Sequence, residues 1–197
     1  IGKLQKLTEF SISENKLSAL PVEFWTLVNL KELQLWKNQI SPLPADIGKL
    51  DKLTMLGLSD NHLLMLPVEI VKLKKLTYLN LSHNLLTSLP EGFGKLDQLS
   101  WLELWENNLT ILPADIGELN QLTFLHLSDN QLTTIPAEIG DLNQLNFLDL
   151  RNNQLTALPT EIGKLDKLTA LYLEGNPISQ FEQEKIKSIL PNCHIHF

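Results

Sequence analysis

The stretch from Leu122 to Leu132 reads LTFLHLSDNQL, and its frame LxxLxLxxNxL returns along the whole chain every 23 residues, without an insertion. A constant period of this length is typical of a solenoid, in which each repeat packs only against its neighbours. An asparagine marks the frame at eight positions: Asn15, Asn38, Asn61, Asn84, Asn107, Asn130, Asn153 and Asn176.

Each copy of the frame predicts a short strand. Successive side chains of a strand alternate between two faces, so Leu125 and Leu127 turn inward while Phe124 and His126 face outward. Asn130 follows where the chain leaves the strand. Because its amide carries two donor hydrogens and an acceptor, stacked copies can satisfy the backbone groups that the turn leaves unpaired. We therefore expect an interior ladder of asparagines with no catalytic role.

The second half of each repeat predicts a short helix or a helical turn. In the segment IPAEIGDL, Pro136 suits the first helical position and Glu138 lies in the first turn, near the positive end of the helix. One repeat cannot bury its apolar side chains alone, so stacking is required. The predicted fold is a curved α/β solenoid with a parallel sheet on the concave face and short helices or 3-10 turns on the convex face.

Two stretches of this sequence resemble known proteins. The unit LPxEIGxLxxLxxLxLxxNxLT, which covers residues 1 to 181, resembles the bacterial and Ras-group type of leucine-rich repeat. The ending, from EGNPI at 174–178 to PNCHIHF at 191–197, is similar to the C-terminal cap of the leucine-rich repeat proteins expanded in pathogenic leptospires. This resemblance implies a bacterial protein that is secreted or surface-exposed and binds host components. It implies no particular ligand.

We expect residues 1–197 to form one repeat domain, with a partial repeat at 1–6, eight repeats at 7–181 and a cap at 182–197. Phe181 takes the usual leucine position of the last repeat, and residues 182–190 predict a polar helix with an apolar face. Residues 193–197 then alternate as a final strand. The start, IGKL at 1–4, matches the middle of a convex segment. We therefore expect an N-terminal cap to be missing, and the open edge is a candidate for dimerisation of an otherwise monomeric chain.

Charge narrows the class of partner. The formal net charge of −7 and the pI near 5.2 argue against a nucleic acid or an anionic membrane surface as the main partner. A basic or neutral protein is more compatible, and no segment predicts insertion into a membrane. Cys193 is the only cysteine, so no intramolecular disulfide can form, and the redox compartment stays open.

Outward positions of successive strands line up in columns across the concave face. The first column contains five consecutive large apolar residues: Met55, Tyr78, Trp101, Phe124 and Phe147. Trp36, Trp105 and Tyr172 fall in neighbouring columns. The leucine core does not need these side chains, and a contiguous apolar surface usually marks an interaction site. Alternatively they form only a structural ladder, in which each cross-strand pair contributes about 0.2–1 kcal/mol.

Polar side chains on the same face allow several interpretations. Arg151, the only arginine, is a candidate anchor for a carboxylate or an aromatic ring of the partner, or it pairs with Asp149. Glu103, His126 and Asp149 share one column, while His194 and His196 share one strand, so either set is a weak candidate for zinc. The closed four-ligand pattern of structural zinc sites is absent, and we expect no metal and no cofactor.

The leading prediction is a non-enzymatic module that binds a protein partner on its concave face, and the resemblance alone implies that it acts outside the cell or on its surface. The alternatives are an intracellular, cytoplasmic scaffold and, less favoured, a hydrolytic or metal-dependent activity built on His126. No glycine-rich phosphate loop or nucleophile elbow supports catalysis. The predicted partner-binding residues are Trp36, Met55, Tyr78, Trp101, Glu103, Trp105, Phe124, His126, Phe147, Asp149, Arg151 and Tyr172.

Overall fold

The computed structural model describes residues 1–197 and contains one sheet of nine parallel strands, ordered as they follow one another in the chain. Each strand has three residues and pairs in register with the next. The strands are β1 Glu9–Ser11, β2 Glu32–Gln34, β3 Met55–Gly57, β4 Tyr78–Asn80, β5 Trp101–Glu103, β6 Phe124–His126, β7 Phe147–Asp149, β8 Ala170–Tyr172 and β9 His194–His196. The solenoid predicted from the period is confirmed.

Seven 3-10 helices return the chain between consecutive strands, also as predicted. Pro136 lies one residue before its helix with an extended backbone (φ −64°, ψ 149°), so its placement at the first helical position is wrong by one residue. Its carbonyl accepts a hydrogen bond from the Ile139 amide at 3.1 Å, which starts the helix. The helices are Val22–Thr26, Ala45–Lys49, Val68–Lys72, Phe93–Lys95, Ala114–Glu118, Ala137–Asp141 and Thr160–Lys164.

A single apolar core runs between the sheet and the 3-10 helices. Leu125 and Leu127 of one repeat and Ile139 of its convex segment are all fully buried, as the alternation predicts. The core cluster joins 51 buried residues from Phe24 to Leu190. Its continuity explains why the outward side chains are not needed to fill the interior.

The asparagine ladder is also confirmed in the interior of the stack. The Asn130 amide nitrogen donates to the carbonyls of Leu127 at 3.1 Å and of Leu104, in the preceding repeat, at 2.9 Å. Its oxygen accepts from the Leu109 amide at 3.0 Å. One side chain thus joins two successive repeats through backbone groups that the turn leaves free.

The helix of the C-terminal cap begins earlier than the sequence suggested. Its helix, α1, spans Gln180–Ile189, and the Ser179 hydroxyl caps it by accepting from the Glu182 amide at 3.3 Å. The predicted start at residue 182 is therefore wrong, and so is the interior position of Phe181, whose side chain is 75% exposed. The helix turns the chain before Phe181 can enter the core. Buried Ile186 forms the predicted apolar face of this helix. None of the helices combines the length and apolar character needed to cross a membrane.

Candidate functional site

The first column of the sheet forms what we call the aromatic stripe: Met55, Tyr78, Trp101, Phe124 and Phe147. The register sets Trp101 opposite Phe124, and Phe124 opposite Phe147, on adjacent strands. The ring centroids of the first pair lie 3.7 Å apart and those of the second pair 4.4 Å apart, each with an interplanar angle of 6°. Parallel strands about 4.8 Å apart hold the rings face to face. The sequence therefore placed these side chains in the correct column.

Stacking covers most of the surface of the stripe. Trp101 is 37% exposed, whereas Tyr78, Phe124 and Phe147 are less exposed and partly buried. Because the rings stack on one another from strand to strand, neighbouring rings cover their faces and the ring edges point to solvent. The stripe is therefore both a ladder that supports the strands and an apolar surface, and the two interpretations of the sequence are compatible.

Rings from other columns extend the stripe at one end. Tyr172 lies 5.4 Å from Phe147, and His196 stacks on Tyr172 at 4.6 Å and 7°. The final strand thus adds a histidine to the ladder, a role that the sequence did not indicate. Trp36 lies apart from the stripe and instead has the Lys37 ammonium nitrogen 5.3 Å from its ring centroid.

Glu103 organises the centre of the concave face. One of its carboxylate oxygens accepts from the Tyr78 hydroxyl at 3.1 Å and from the Trp101 indole at 2.8 Å. The other accepts from the Asn80 amide at 3.1 Å and from the Trp105 indole at 3.2 Å. Burial raises the pKa of Tyr78, the Asn80 hydrogen bond opposes this, and the Glu103 charge adds to it. The polar groups of Tyr78, Trp101 and Trp105 are therefore all hydrogen-bonded to the Glu103 carboxylate.

Asp149 organises a second network two repeats further along. Its side chain is fully buried, and the Arg151 guanidinium binds it through Nε at 3.0 Å and Nη2 at 2.5 Å. Burial opposes its ionisation, but hydrogen bonds from His126 and Arg151 outweigh that effect and lower the pKa of Asp149 to about 2. The intrasheet ion pair is thus the arrangement present. Asp149 itself cannot touch a partner, because Arg151 and His126 cover it.

His126 does not have the geometry of a catalytic histidine. The same ring nitrogen, Nε2, lies 2.9 Å from the Ser128 hydroxyl and 3.3 Å from Asp149. A nucleophile and an orienting carboxylate need the two different nitrogens of the ring. Glu103 accepts hydrogen bonds from the Trp101 and Trp105 indoles, and no group of three or more acidic, histidine or cysteine side chains is placed to hold a metal ion. The zinc candidates Glu103, His126, Asp149, His194 and His196 are therefore not assembled into a site.

The structure also reveals exposed apolar side chains outside the concave face, which the sequence did not indicate. Leu64 and Met65, which precede the 3-10 helix Val68–Lys72, and Val68, its first residue, are 60%, 68% and 55% exposed. We call these three residues the flank patch. In the first repeat Val22 is 67% exposed, and it lines a cavity of about 290 Å³ together with Trp25. The only signal in the sequence is that most other repeats carry serine, threonine or alanine at the positions of Leu64 and Met65.

Comparisons with known proteins agree with this architecture. A model of the leucine-rich repeat region matches residues 22–109 and 112–189, so the chain belongs to the leucine-rich repeat family. No curated protein matches it. A solved leucine-rich repeat protein of Leptospira interrogans is 43% identical over the whole chain, with a TM-score of 0.96. The chain spans about half the length of that protein, 50%.

Two plant receptors of known structure are similar over 89% of the chain. The plant peptide hormone receptor RGFR1, solved in complex with RGF2, is 32% identical with a TM-score of 0.81. The ectodomain of the membrane receptor kinase GASSHO1/SCHENGEN3 from Arabidopsis thaliana, in complex with CASPARIAN STRIP INTEGRITY FACTOR 2, is 28% identical with a TM-score of 0.72. The chain corresponds to 29% and 28% of these two receptors. Repeats of this family typically serve protein–protein interaction and are generally not enzymes.

Proposed function

We propose that this chain is a binding module that holds a protein partner on its concave face, centred on the aromatic stripe. The observation that carries the proposal is a band of stacked aromatic rings outside a core that is already filled by leucines. Tryptophan and tyrosine most often contribute the binding energy of protein interfaces. The hydrogen bonds at Glu103 pre-organise these rings, so little conformational entropy is lost when a partner binds.

The similar receptors support this use of the fold. Both plant structures contain a receptor of the same repeat family together with a bound partner. A specific interface commonly buries about 1,600 Å² in total, and a nine-stranded concave face offers room for such an area without a loop or a cofactor. A rigid, preformed surface is the corresponding mechanism of recognition.

Electrostatics favour a basic or neutral partner. The net charge of −7 includes Glu9, Glu32, Asp60 and Asp129, which lie on the concave side and form no ion pair. Complementary positive charge on the partner would mainly accelerate the encounter and exclude wrong partners. The aromatic stripe would supply most of the affinity.

We further propose that the protein is bacterial and acts outside the cell or on its surface, on a host component. The 43% identity to a Leptospira interrogans protein and the similarity to a plant ectodomain support this location. A cytoplasmic scaffold with the same surface is the alternative. Protease treatment of intact cells, followed by detection of the protein, separates the two, because only a surface protein is cleaved.

The test of the binding face compares two variants in pull-downs from host surface extracts and from bacterial lysate. The stripe variant carries Tyr78→Ala, Trp101→Ala, Phe124→Ala and Phe147→Ala. The matched control carries Met65→Ser and Val68→Ser, which remove exposed apolar surface from the flank patch. Urea denaturation is first used to check that both variants are folded. We expect the stripe variant to lose the partner and the flank variant to retain it.

Affinity of the purified partner then gives the magnitude. Trp101→Ala alone should weaken binding at least about 30-fold, which corresponds to about 2 kcal/mol. Retention of a partner by the stripe variant together with its loss by the flank variant would move the site to the flank patch and contradict the proposal. Equal affinity of Trp101→Ala and the unmodified chain would leave the stripe with a structural role alone.

A further inference from the structure

At the centre of the concave face, we propose that Tyr78, Trp101, Glu103 and Trp105 form a binding site for an arginine side chain of the partner. This inference rests on the proposed function, since it names the chemistry that the concave face recognises. It is carried by a carboxylate without a counter-charge, by an equivalent site elsewhere on the same sheet, and by an incompletely covered indole face.

The Glu103 carboxylate meets four hydrogen-bond donors, all of which are neutral. They are the Tyr78 hydroxyl, the Trp101 and Trp105 indoles and the Asn80 amide, at 2.8 to 3.2 Å. These donors fill the lone pairs of both oxygens but leave the negative charge in place. No lysine, arginine or histidine lies within ion-pair distance of Glu103, whereas Asp149, Glu106 and Glu14 each have such a neighbour.

The same sheet contains a completed version of this arrangement. In the repeat frame, Glu103 is equivalent to Asp149 and Trp105 is equivalent to Arg151. The Arg151 guanidinium binds Asp149 at 2.5 Å and lies 5.3 Å from the centroid of the Tyr172 ring. Carboxylate, guanidinium and aromatic ring therefore fit together on this sheet. Around Glu103 the arginine position is taken by Trp105 and the position of Tyr172 by His126, so the rings there are those of Tyr78 and Trp101 and the guanidinium has to come from a partner.

One face of the Trp101 indole is covered less closely than the other. Phe124 lies against one face at a centroid distance of 3.7 Å and an interplanar angle of 6°, whereas Tyr78, on the other side, lies 6.3 Å away at 25°. Trp101 is 37% exposed, so part of the indole is open to solvent. A guanidinium stacked on this open part lies within about 6 Å of the indole centroid, the range of cation–π attraction, and the rings do not have to move.

The geometry selects arginine over the other charged side chains. Because both Glu103 oxygens already accept two hydrogen bonds, neither an ammonium nor a guanidinium group finds a free acceptor there, and the donors of either cation stay hydrogen-bonded to water. A guanidinium is planar, is more weakly hydrated and stacks on aromatic faces, so it gains from the rings and from the field of the carboxylate together. A partner carboxylate would be repelled by Glu103.

A model compound tests the site without knowledge of the partner. N-acetyl-arginine methylamide is added to the ¹⁵N-labelled chain, and the indole N–H signals of Trp101 and Trp105 are followed by NMR. We expect a saturable shift of these two signals, with a Kd on the order of 1–10 mM, and no shift of buried Trp25. The citrulline analogue, which has the same shape without the charge, should cause no saturable shift. The lysine analogue should bind at least about threefold more weakly.

Two variants locate the effect. Glu103→Gln removes the charge and should weaken binding of the arginine compound at least about tenfold. Trp101→Leu removes the ring face but keeps the carboxylate, and the Trp105 signal should then show a comparable loss. If Glu103→Gln disturbs the local fold, Trp101→Leu still tests whether the arginine compound binds at this site. The matched control is Asp129→Asn, which removes an exposed carboxylate from the same face and should change the Kd by less than about twofold.

Several results would overturn the inference: no saturable shift up to about 100 mM arginine compound, equal shifts with the citrulline analogue, or wild-type binding by both Glu103→Gln and Trp101→Leu. The proposed function fails in a different way. A partner that depends on the aromatic stripe but is indifferent to Glu103→Gln would leave the binding module intact and remove only the arginine site. An arginine compound that binds while the stripe variant retains its partner would contradict the proposed function instead.

Discussion

Asn130→Ala tests the ladder that joins one repeat to the next. The substitution removes donations to the carbonyls of Leu104, Leu127 and Ser128 at 2.9, 3.1 and 3.1 Å, and it leaves the buried Leu109 amide without its acceptor at 3.0 Å. One unsatisfied buried backbone group costs about 1–3 kcal/mol, and the weakened carbonyls add to this. We expect the free energy of unfolding to fall by about 3–4 kcal/mol.

The chain supplies its own control for this measurement. Asn15 occupies the same position of the first repeat but is exposed, and its amide donates only to the nearby carbonyls of Ile12 at 3.2 Å and Ser13 at 2.8 Å. No backbone amide depends on its oxygen. Because water can replace both hydrogen bonds, Asn15→Ala should cost less than about 1 kcal/mol.

Urea denaturation followed by circular dichroism measures both variants on the full chain. Equal slopes of the free energy against urea show that the same cooperative unit unfolds, which matters for a stack of repeats. A cost of Asn130→Ala within about 1 kcal/mol of that of Asn15→Ala would refute the reasoning. The asparagines would then be replaceable by water at every level of the stack.

Four other substitutions test the remaining structural arguments. Asp149→Asn should lower the free energy of unfolding by about 1–2 kcal/mol at pH 7. The pKa of Asp149 is lowered from 3.8 to about 2 on folding, so the stabilisation by its ionised form is present above about pH 4 and is lost as the pH falls. Urea denaturation at several pH values should therefore show that the difference from wild type shrinks between pH 4 and pH 2. A difference that does not change with pH would contradict this assignment. Gly117→Ala should destabilise the chain by about 1–3 kcal/mol, because a Cβ there would lie 2.4 Å from the Glu138 carbonyl oxygen. Helix propensity alone predicts the opposite, a gain of about 1 kcal/mol. A lower thermal midpoint supports the steric argument, and a higher one contradicts it. Ile186→Ala should lower the free energy of unfolding by about 2–4 kcal/mol, because it opens the capped end of the core. Phe181→Ser should change it by no more than about 0.5 kcal/mol. Equal costs in urea denaturation would show that Phe181 packs in the interior.

The concave columns were predictable because two regularities act together. The 23-residue period sets which residues are neighbours on adjacent strands, and the alternation of a strand sets which of them face outward. The stacking of Trp101 on Phe124 follows from these two rules. The wrong prediction at Phe181 has an equally local cause, since Ser179 caps a helix and Glu182 stands where every earlier repeat has a proline.

The roles of the charged side chains were not predictable in the same way. Glu103 and Asp149 occupy equivalent positions and look alike in sequence, yet one meets only neutral donors and the other is buried under an arginine. The difference depends on the side chains two residues later, Trp105 and Arg151, and on rings from neighbouring repeats. Rotamer choice and hydrogen-bond geometry decide these contacts, and the repeat pattern carries no information about either.

By itself the sequence determined that this protein is a solenoid of leucine-rich repeats with a parallel sheet, an asparagine ladder and an aromatic stripe on the concave face. These features depend on the spacing of residues, because each repeat must bury the same positions against the next one. Only the tertiary structure decided how exposed the stripe is, that Glu103 meets only neutral donors while Asp149 meets an arginine, and where the flank patch lies. These features depend on side-chain contacts two residues apart, as between Asp149 and Arg151, and about one repeat apart, as between Glu103 and Tyr78, whose distances and orientations are set when the repeats stack.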